Sequence, residues 1–260
     1  SNQSNQSNLS DFSDLAQPVV FSIEYALARM LQEWGIQVGA VIWYSFGEYA
    51  AACTAGVFSL EEALGLVVAR QKLMQKVPPG VMLSVPLPKE ELEPMLPGDL
   101  SLAIDNGPTC IVAGTPGAVG AFEAELKSRK CLTLRLPVSQ ALHSHMMEPV
   151  LEEFEAIVSR MTLKEPQIPY ISNVTGGWIT PQEICKPRYW VTHIRETVRF
   201  AEGIKTLLED SVAPLVEVGP GSELTALSTR YLGNENKRAI NLVRPRARAV
   251  SDYYYLLNRV

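Results

Sequence analysis

The residues best suited by type to do chemistry are Ser45 and His143. Ser45 stands where a short apolar run, 40–44, meets an alanine-rich stretch that reads as a helix over Tyr49–Ala55, so its hydroxyl sits on a strand-to-helix turn. A hydroxyl exposed on such a turn can attack an acyl carbonyl, and the next backbone N–H, that of Phe46, can hold the oxyanion that develops. Serine is a poor nucleophile until a base takes its proton. The chain has only three histidines, and His143, in Leu142-His143-Ser144, is the best candidate for that base. A serine–histidine pair implies acyl transfer. The same residue types also have ordinary uses, since a serine before a helix caps it and a lone histidine fills a core.

The pair is separated by 98 positions, so a folded scaffold must bring it together. Pro18 reads as the first residue of a helix in which Val20, Ile23, Leu27, Met30, Leu31 and Trp34 recur at three- and four-residue spacing up to Gly35. Ser59 and Glu62 form a capping box for a helix reaching about Lys76, with Leu66, Arg70 and Leu73 on one face. From Val81 the rhythm shortens to strand 81–85, helix 88–95, strands 101–105 and 110–114, helix 115–128 and strand 131–136. That βαββαβ order is a ferredoxin-like unit. A helix over 145–160, a strand near Tyr170, a helix from Val198 to Asp210 and a strand from Pro214 to Val218 then resume the larger body, ending in the Gly219-Pro220-Gly221 turn. The expected fold is α/β: an α/β-hydrolase-like large subdomain with a parallel sheet (11–80 and 140–242) and an inserted small subdomain (81–139). The polar repeat SNQSNQSN, within 1–10, reads as a linker end or residues added for expression.

Composition narrows the function. The 260 residues carry a net charge of −5, which opposes long-range attraction to nucleic acid or an anionic membrane. No apolar run approaches the ~20 residues that span a bilayer, and no signal-peptide layout opens the chain, so a cytoplasmic protein is expected. Cys53, Cys110, Cys131 and Cys185 are scattered without metal-ligand or disulfide spacing.

The stretch YSFGEYAAACTAGVFSLEEAL resembles the nucleophile region of malonyl-transferring acyltransferase domains of modular polyketide synthases, whose pattern is Gly-His-Ser-x-Gly-Glu; Ser45, Gly47 and Glu48 match it. ARQKLMQKVPPGVML, DNGPTCIVAGTP, LHSHMMEPV, ISNVTG, RYWVTHIRETVRF and VEVGPGSELT resemble further family segments in order, and SDYYYLL resembles the linker, here 243–260, that follows such domains. The resemblance implies that Ser45 takes an acyl group from coenzyme A and passes it to the phosphopantetheine thiol of an acyl carrier protein, with His143 as base. It implies that Arg70 binds the free carboxylate of a malonyl or methylmalonyl unit, in keeping with a guanidinium on a largely apolar helix face. Asn106 and Gly107-Pro108 would shape the wall near His143, with Gly219 and Gly221 supporting the histidine loop. No covalently bound cofactor is implied, malonyl-CoA is the substrate of an active form, and the implied partners are the carrier protein and neighbouring synthase domains.

Three departures from the family pattern bear on activity. Trp43 and Tyr44 stand where the family has glycine and histidine, so two bulky aromatics are expected to distort the elbow or fill the pocket. The family's opening strand, with its Gly-Gln-Gly-x-Gln oxyanion motif, has no counterpart in these 260 residues. Gln140-Ala141-Leu142-His143 replaces His-Ala-Phe-His, whereas Phe46 suits malonyl-type enzymes, so Gln140 and Leu142 join the candidate substrate wall. The resulting expectation is a weak or inactive domain with a structural or docking role, its uncovered sheet edge available to a partner segment; the alternative is an active malonyl transferase.

Overall fold

The computed structural model describes residues 4–243; the linker expected over 243–260 lies, apart from its first residue, outside them. The first helix, α1, spans Ser4–Glu33 and carries Pro18 in its interior, where the sequence placed the start of the helix. Proline removes a helical donor at that point, and the Ser22 hydroxyl donates to the Pro18 carbonyl one turn later (2.8 Å). The helix therefore also takes in residues that composition alone assigned to a linker.

The buried face of α1 agrees only in part with the one expected. Leu31 is buried as expected, together with Phe21 and Ala28, whereas Ile23 and Trp34 are 38% and 41% exposed. The buried stripe lies one residue round from the 20-23-27-30-34 line, and Glu24 falls on it. Leu27 and Met30 instead join Leu31, Val216, Val218 and Leu242 in a satellite cluster. A helix with apolar residues on two adjacent stripes does not reveal, from spacing alone, which one meets the core.

Strand β1 (Val41–Ile42) leads through a 3-10 turn at Ser45–Gly47 into α2 (Glu48–Thr54). Next, α3 (Leu60–Met74) starts with the expected capping box: Ser59 Oγ accepts from the Glu62 N–H (3.2 Å), and Glu62 Oε2 accepts from the Ser59 N–H (3.1 Å).

The small subdomain follows as β2 (Val81–Val85), α4 (Lys89–Leu92), β3 (Leu100–Asp105), β4 (Cys110–Gly114), α5 (Pro116–Ser128) and β5 (Leu134–Arg135). Its strands form one antiparallel sheet in the order β3-β4-β2-β5, over a core of its own that includes Leu83, Leu92, Val112, Phe122 and Leu126. Where the chain leaves and re-enters the large subdomain, a Cβ on Gly80 would lie 2.5 Å from Ala141 Cβ, an approach that only glycine permits.

The large subdomain resumes with a 3-10 turn at His145–Met147, then α6 (Glu148–Val158), β6 (Tyr170–Ile171), α7 (Pro181–Ile184), α8 (Pro187–Arg195), α9 (Phe200–Asp210), β7 (Leu215–Glu217), α10 (Glu223–Leu232) and β8 (Ala239–Asn241). Its strands pair in parallel, β1 with β6 and β7 with β8. The two subdomains are stitched together at Val198, which accepts from the Asp105 N–H and donates to the Ala103 carbonyl, both at 2.9 Å. The architecture is thus mixed α/β, a hydrolase-like large body with a small four-stranded antiparallel subdomain. Among the described residues, no helix is long and apolar enough to cross a membrane.

Candidate active site

The elbow after β1 places Ser45 at φ 51°, in the left-handed region that non-glycine residues rarely adopt. Two bonds hold it there. The Ser45 N–H donates to Asn173 Oδ1 (3.1 Å), and Asn173 Nδ2 donates to the Trp43 carbonyl (2.9 Å), so one buried amide grips the chain on both sides of the turn. Phe46 is the second residue of the 3-10 turn, where helix starts leave N–H groups without an intrahelical partner. That leaves the Phe46 N–H a candidate oxyanion donor.

His143 comes from the far side of the small subdomain and is also left-handed, with φ 55°. Its Nε2 lies 2.6 Å from Ser45 Oγ, and its Nδ1 lies 3.2 Å from the Glu196 carbonyl at the end of α8. A carbonyl can only accept, so Nδ1 carries the proton and Nε2 presents its lone pair to the serine hydroxyl. The imidazole is 1% exposed. Burial holds its proton affinity well below the usual histidine range, aided by the charges of His193 and Arg70 and partly opposed by the Glu196 and His193 backbone carbonyls. The base is therefore neutral at pH 7.

Arg70 projects from α3 into the same region and is 1% exposed. Its guanidinium stacks over Phe46 (5.3 Å to the ring centroid) and Tyr49 (5.6 Å), and Nη1 donates to Gln17 Oε1 at 2.7 Å. Nε is buried without a hydrogen-bond partner, and among the described residues no carboxylate lies within ion-pair distance. An uncompensated buried cation beside a nucleophile suits an anionic ligand.

The two unusual aromatics leave the pair intact. Trp43 is buried, and its ring packs against Gly47, where a Cβ would meet Trp43 Cε3 at 3.0 Å and the Glu24 carboxylate at 3.8 Å. The Ser45–His143 contact, at 2.6 Å, forms with both aromatics in place. Tyr44 stacks edge-on against Phe200 (5.4 Å), and its hydroxyl accepts from Asn106 Nδ2 at 3.1 Å. Asn106 thus lies beside the elbow, and its carbonyl accepts from Tyr231 (2.7 Å). Gly219 faces Glu24, and Gly221 packs closely on Glu223. Burial beside Gly47 and Gly219 lifts the Glu24 carboxyl to about 8. Ala141 is buried, with Gln140 and Leu142 half-buried on either side of it, immediately before His143.

Sequence reasoning singled out Ser45, Phe46, Arg70 and His143, and the structure gathers them in one place. It gave no role to Gln17, Asn173 or the Glu196 carbonyl. Asn173 had a signal, because ISNVTG was recognised as a segment, but nothing local says what its amide grips. A backbone carbonyl leaves no trace in side-chain chemistry.

Comparison with known proteins agrees with this site. The family described as "Acyl transferase domain" matches residues 3–254. Spectinabilin polyketide synthase system protein NorB of Streptomyces orinoci is 39% identical over 238 residues, 90% of this chain but 11% of that protein. Polyketide synthase GfsB of Streptomyces halstedii is 40% identical over 218 residues, 81% of this chain and 4% of that one. Among solved structures, the acyl transferase domain of ZmaA superposes with a TM-score of 0.87 at 47% identity, covering 95% of this chain and 58% of that one. The acyltransferase domain from the second module of the salinomycin polyketide synthase does so at 0.87 and 34%, covering 100% and 60%. The chain therefore spans a small part of its curated relatives and under two thirds of these solved chains. With a serine–histidine pair, a buried arginine and this likeness together, the chain belongs to the acyl transferase domain family, in its polyketide synthase branch.

Proposed function

We propose that this domain transfers a malonyl-type acyl group from coenzyme A to the phosphopantetheine thiol of an acyl carrier protein through an acyl-Ser45 intermediate. The supporting observation is the 2.6 Å contact between Ser45 Oγ and a neutral, buried His143, beside an Arg70 with no acidic partner among the described residues. Ser45 Oγ attacks the thioester carbonyl as its proton passes to His143 Nε2, and the Phe46 N–H faces the oxyanion. Collapse breaks the C–S bond, and the departing sulfur takes the proton from His143. The carrier thiol then gives its proton to His143 and attacks the ester, and Ser45 leaves with that proton. Arg70 holds the free carboxylate in both steps, with Phe46 stacked on it and Gln140 and Leu142 as candidate wall residues; the bulk of Phe46 next to the nucleophile favours malonyl over a branched unit.

The partners in this reading are the carrier protein and adjoining synthase domains, and the small subdomain, 81–139, forms one wall of the cleft. The test is carrier loading by malonyl-CoA, with Ser45→Ala as control. Loading that depends on Ser45 supports the proposal; equal loading by the variant refutes it.

A second reading, slow transfer with a structural or docking role, is favoured by the separation of the parallel strands into two pairs, β1–β6 and β7–β8. Among the described residues the Phe46 N–H is the single donor identified at the oxyanion position, and losing one donor typically costs roughly 10²- to 10³-fold. An extended partner segment beside β1 would supply both a strand and a donor. If a Gly-Gln-Gly-x-Gln segment added in trans leaves loading and melting temperature unchanged, that reading is lost.

A further inference from the structure

Behind the reactive pair lies a second buried titratable cluster that the transfer steps do not use. Glu48, three residues after Ser45 at the start of α2, has no exposed surface, and His193 of α8 is 1% exposed. Glu48 Oε2 lies 3.1 Å from His193 Nε2. This is an ion-pair distance without hydrogen-bond alignment, since neither atom has a hydrogen-bond partner of good geometry. Glu48 Oε1 accepts from the Tyr189 hydroxyl, whose oxygen is 2.9 Å from Ser172 Oγ, and the Glu48 carbonyl accepts from Tyr170 (3.4 Å).

The location of the pair gives it a consequence for chemistry. Glu48 is on the helix that continues the Ser45 elbow. His193 is three residues before Glu196, whose carbonyl holds His143 Nδ1. The Glu48–His193 contact therefore ties the element carrying the nucleophile to the element that orients the base. The His193 ring also meets the His143 ring edge-to-face, at 5.7 Å between centroids and 80° between planes, and meets Tyr49 in the same way at 5.7 Å and 79°. Both reactive residues sit in strained backbone, which persists only where surrounding contacts over-determine it.

We propose that Glu48 and His193 are positioning residues: a buried carboxylate–imidazole brace that fixes the elbow against the carbonyl orienting His143 and packs a second ring on that imidazole. This rests on the acyl-serine reading above. The titratable and charged groups around the two imidazoles are Glu48 and Tyr49 from α2, Arg70 from α3, Tyr170 from β6 and Tyr189 from α8. Of these groups and the second imidazole, His193 and Arg70 are the two whose charge depresses proton binding at His143.

The test uses the full chain with Glu48→Gln, His193→Asn and the milder Tyr189→Phe, measuring single-turnover acylation of Ser45 by malonyl-CoA across pH. Malonyl-CoA binding is measured in parallel with each change in a Ser45→Ala background. The brace predicts acylation slowed by up to about 10²-fold with binding within about twofold, as expected for misplaced reacting groups. It also predicts an acidic limb that moves to higher pH in His193→Asn, and a smaller slowing of the same sign in Tyr189→Phe. Unchanged rates and limb would overturn it. So would rate and binding falling together with the near-UV circular dichroism, since that marks a core role alone. Acylation that persists in Ser45→Ala by itself would instead remove the acyl-serine reading, a failure separable from that of the brace.

Discussion

The two ends of the candidate cleft are built by opposite means. At one end Ser45 and His143 lie on turns with φ near +50°, each held by bonds from distant segments, Asn173 for the serine and Glu196 for the histidine. At the other, Arg70 lies in the middle of a regular helix with no backbone strain, and what is unusual is its charge, buried against Phe46, Tyr49 and Gln17. Reactivity is stored in backbone geometry at the first end, and recognition in an unmet charge at the second. The difference predicts that variants will separate into those that stop chemistry and those that loosen binding.

The largest effect falls at the strained end. Ser45→Ala should lower acyl transfer by at least roughly 10⁴-fold while malonyl-CoA binding, read by calorimetry, stays within about threefold. Arg70→Met should do the reverse, weakening malonyl-CoA binding by about 2–5 kcal/mol while transfer from acetyl-CoA, which lacks the carboxylate, changes far less. If Arg70→Met affected acetyl and malonyl transfer alike, the division would collapse.

A smaller effect sharpens the recognition end. Gln17→Leu removes a neutral acceptor that holds a buried guanidinium and should lower folding stability by about 1.5–3 kcal/mol, with a smaller change in malonyl-CoA binding. Gln17→Glu should weaken binding more, because the new carboxylate would occupy the guanidinium that the substrate needs.

The smallest effect on transfer concerns Glu24, behind the elbow at Gly47, and is read in stability against pH. Glu24 titrates at about 8 when folded and near 4.5 otherwise, so above 4.5 the unfolded chain releases a proton that the folded chain keeps. Its contribution is full below pH 4.5 and is lost as pH rises towards 8, at up to about 1.4 kcal/mol per pH unit. His143 runs the other way. Its folded value is depressed, so its share of stability is full above 6.5 and falls away as pH drops below that value. Thermal melts from pH 5 to 8 should therefore show Glu24→Gln gaining on the parent as pH rises. A gain independent of pH would place the effect in packing.

How much of this was legible in the sequence follows the same division. The helix bearing Arg70 could be read almost to the residue, because Ser59 and Glu62 mark its start and Leu66, Arg70 and Leu73 share a face. Strands 81–85 and 110–114 were equally plain, being short apolar runs between turn residues. By contrast, α8 was missed although Arg188, Thr192 and Arg195 recur at helical spacing, because the helix is only nine residues long and five of them, Tyr189, Trp190, Val191, His193 and Ile194, are buried. The contacts that complete the site span 53 positions for Gln17 and Arg70 and 128 for Ser45 and Asn173, distances at which no local pattern operates. Trp43 shows the other limit: the chain departs from its family there, but only coordinates show the ring against Gly47 with the Ser45–His143 contact still made.

The decisive measurement is the intact mass of the chain after brief exposure to malonyl-CoA, followed by peptide mapping. A serine hydroxyl 2.6 Å from a neutral imidazole should gain one malonyl group, located on Ser45 and absent from the Ser45→Ala and His143→Ala variants. A chain that stays unmodified, or carries the group on another residue, would contradict the assignment of this cleft to acyl transfer.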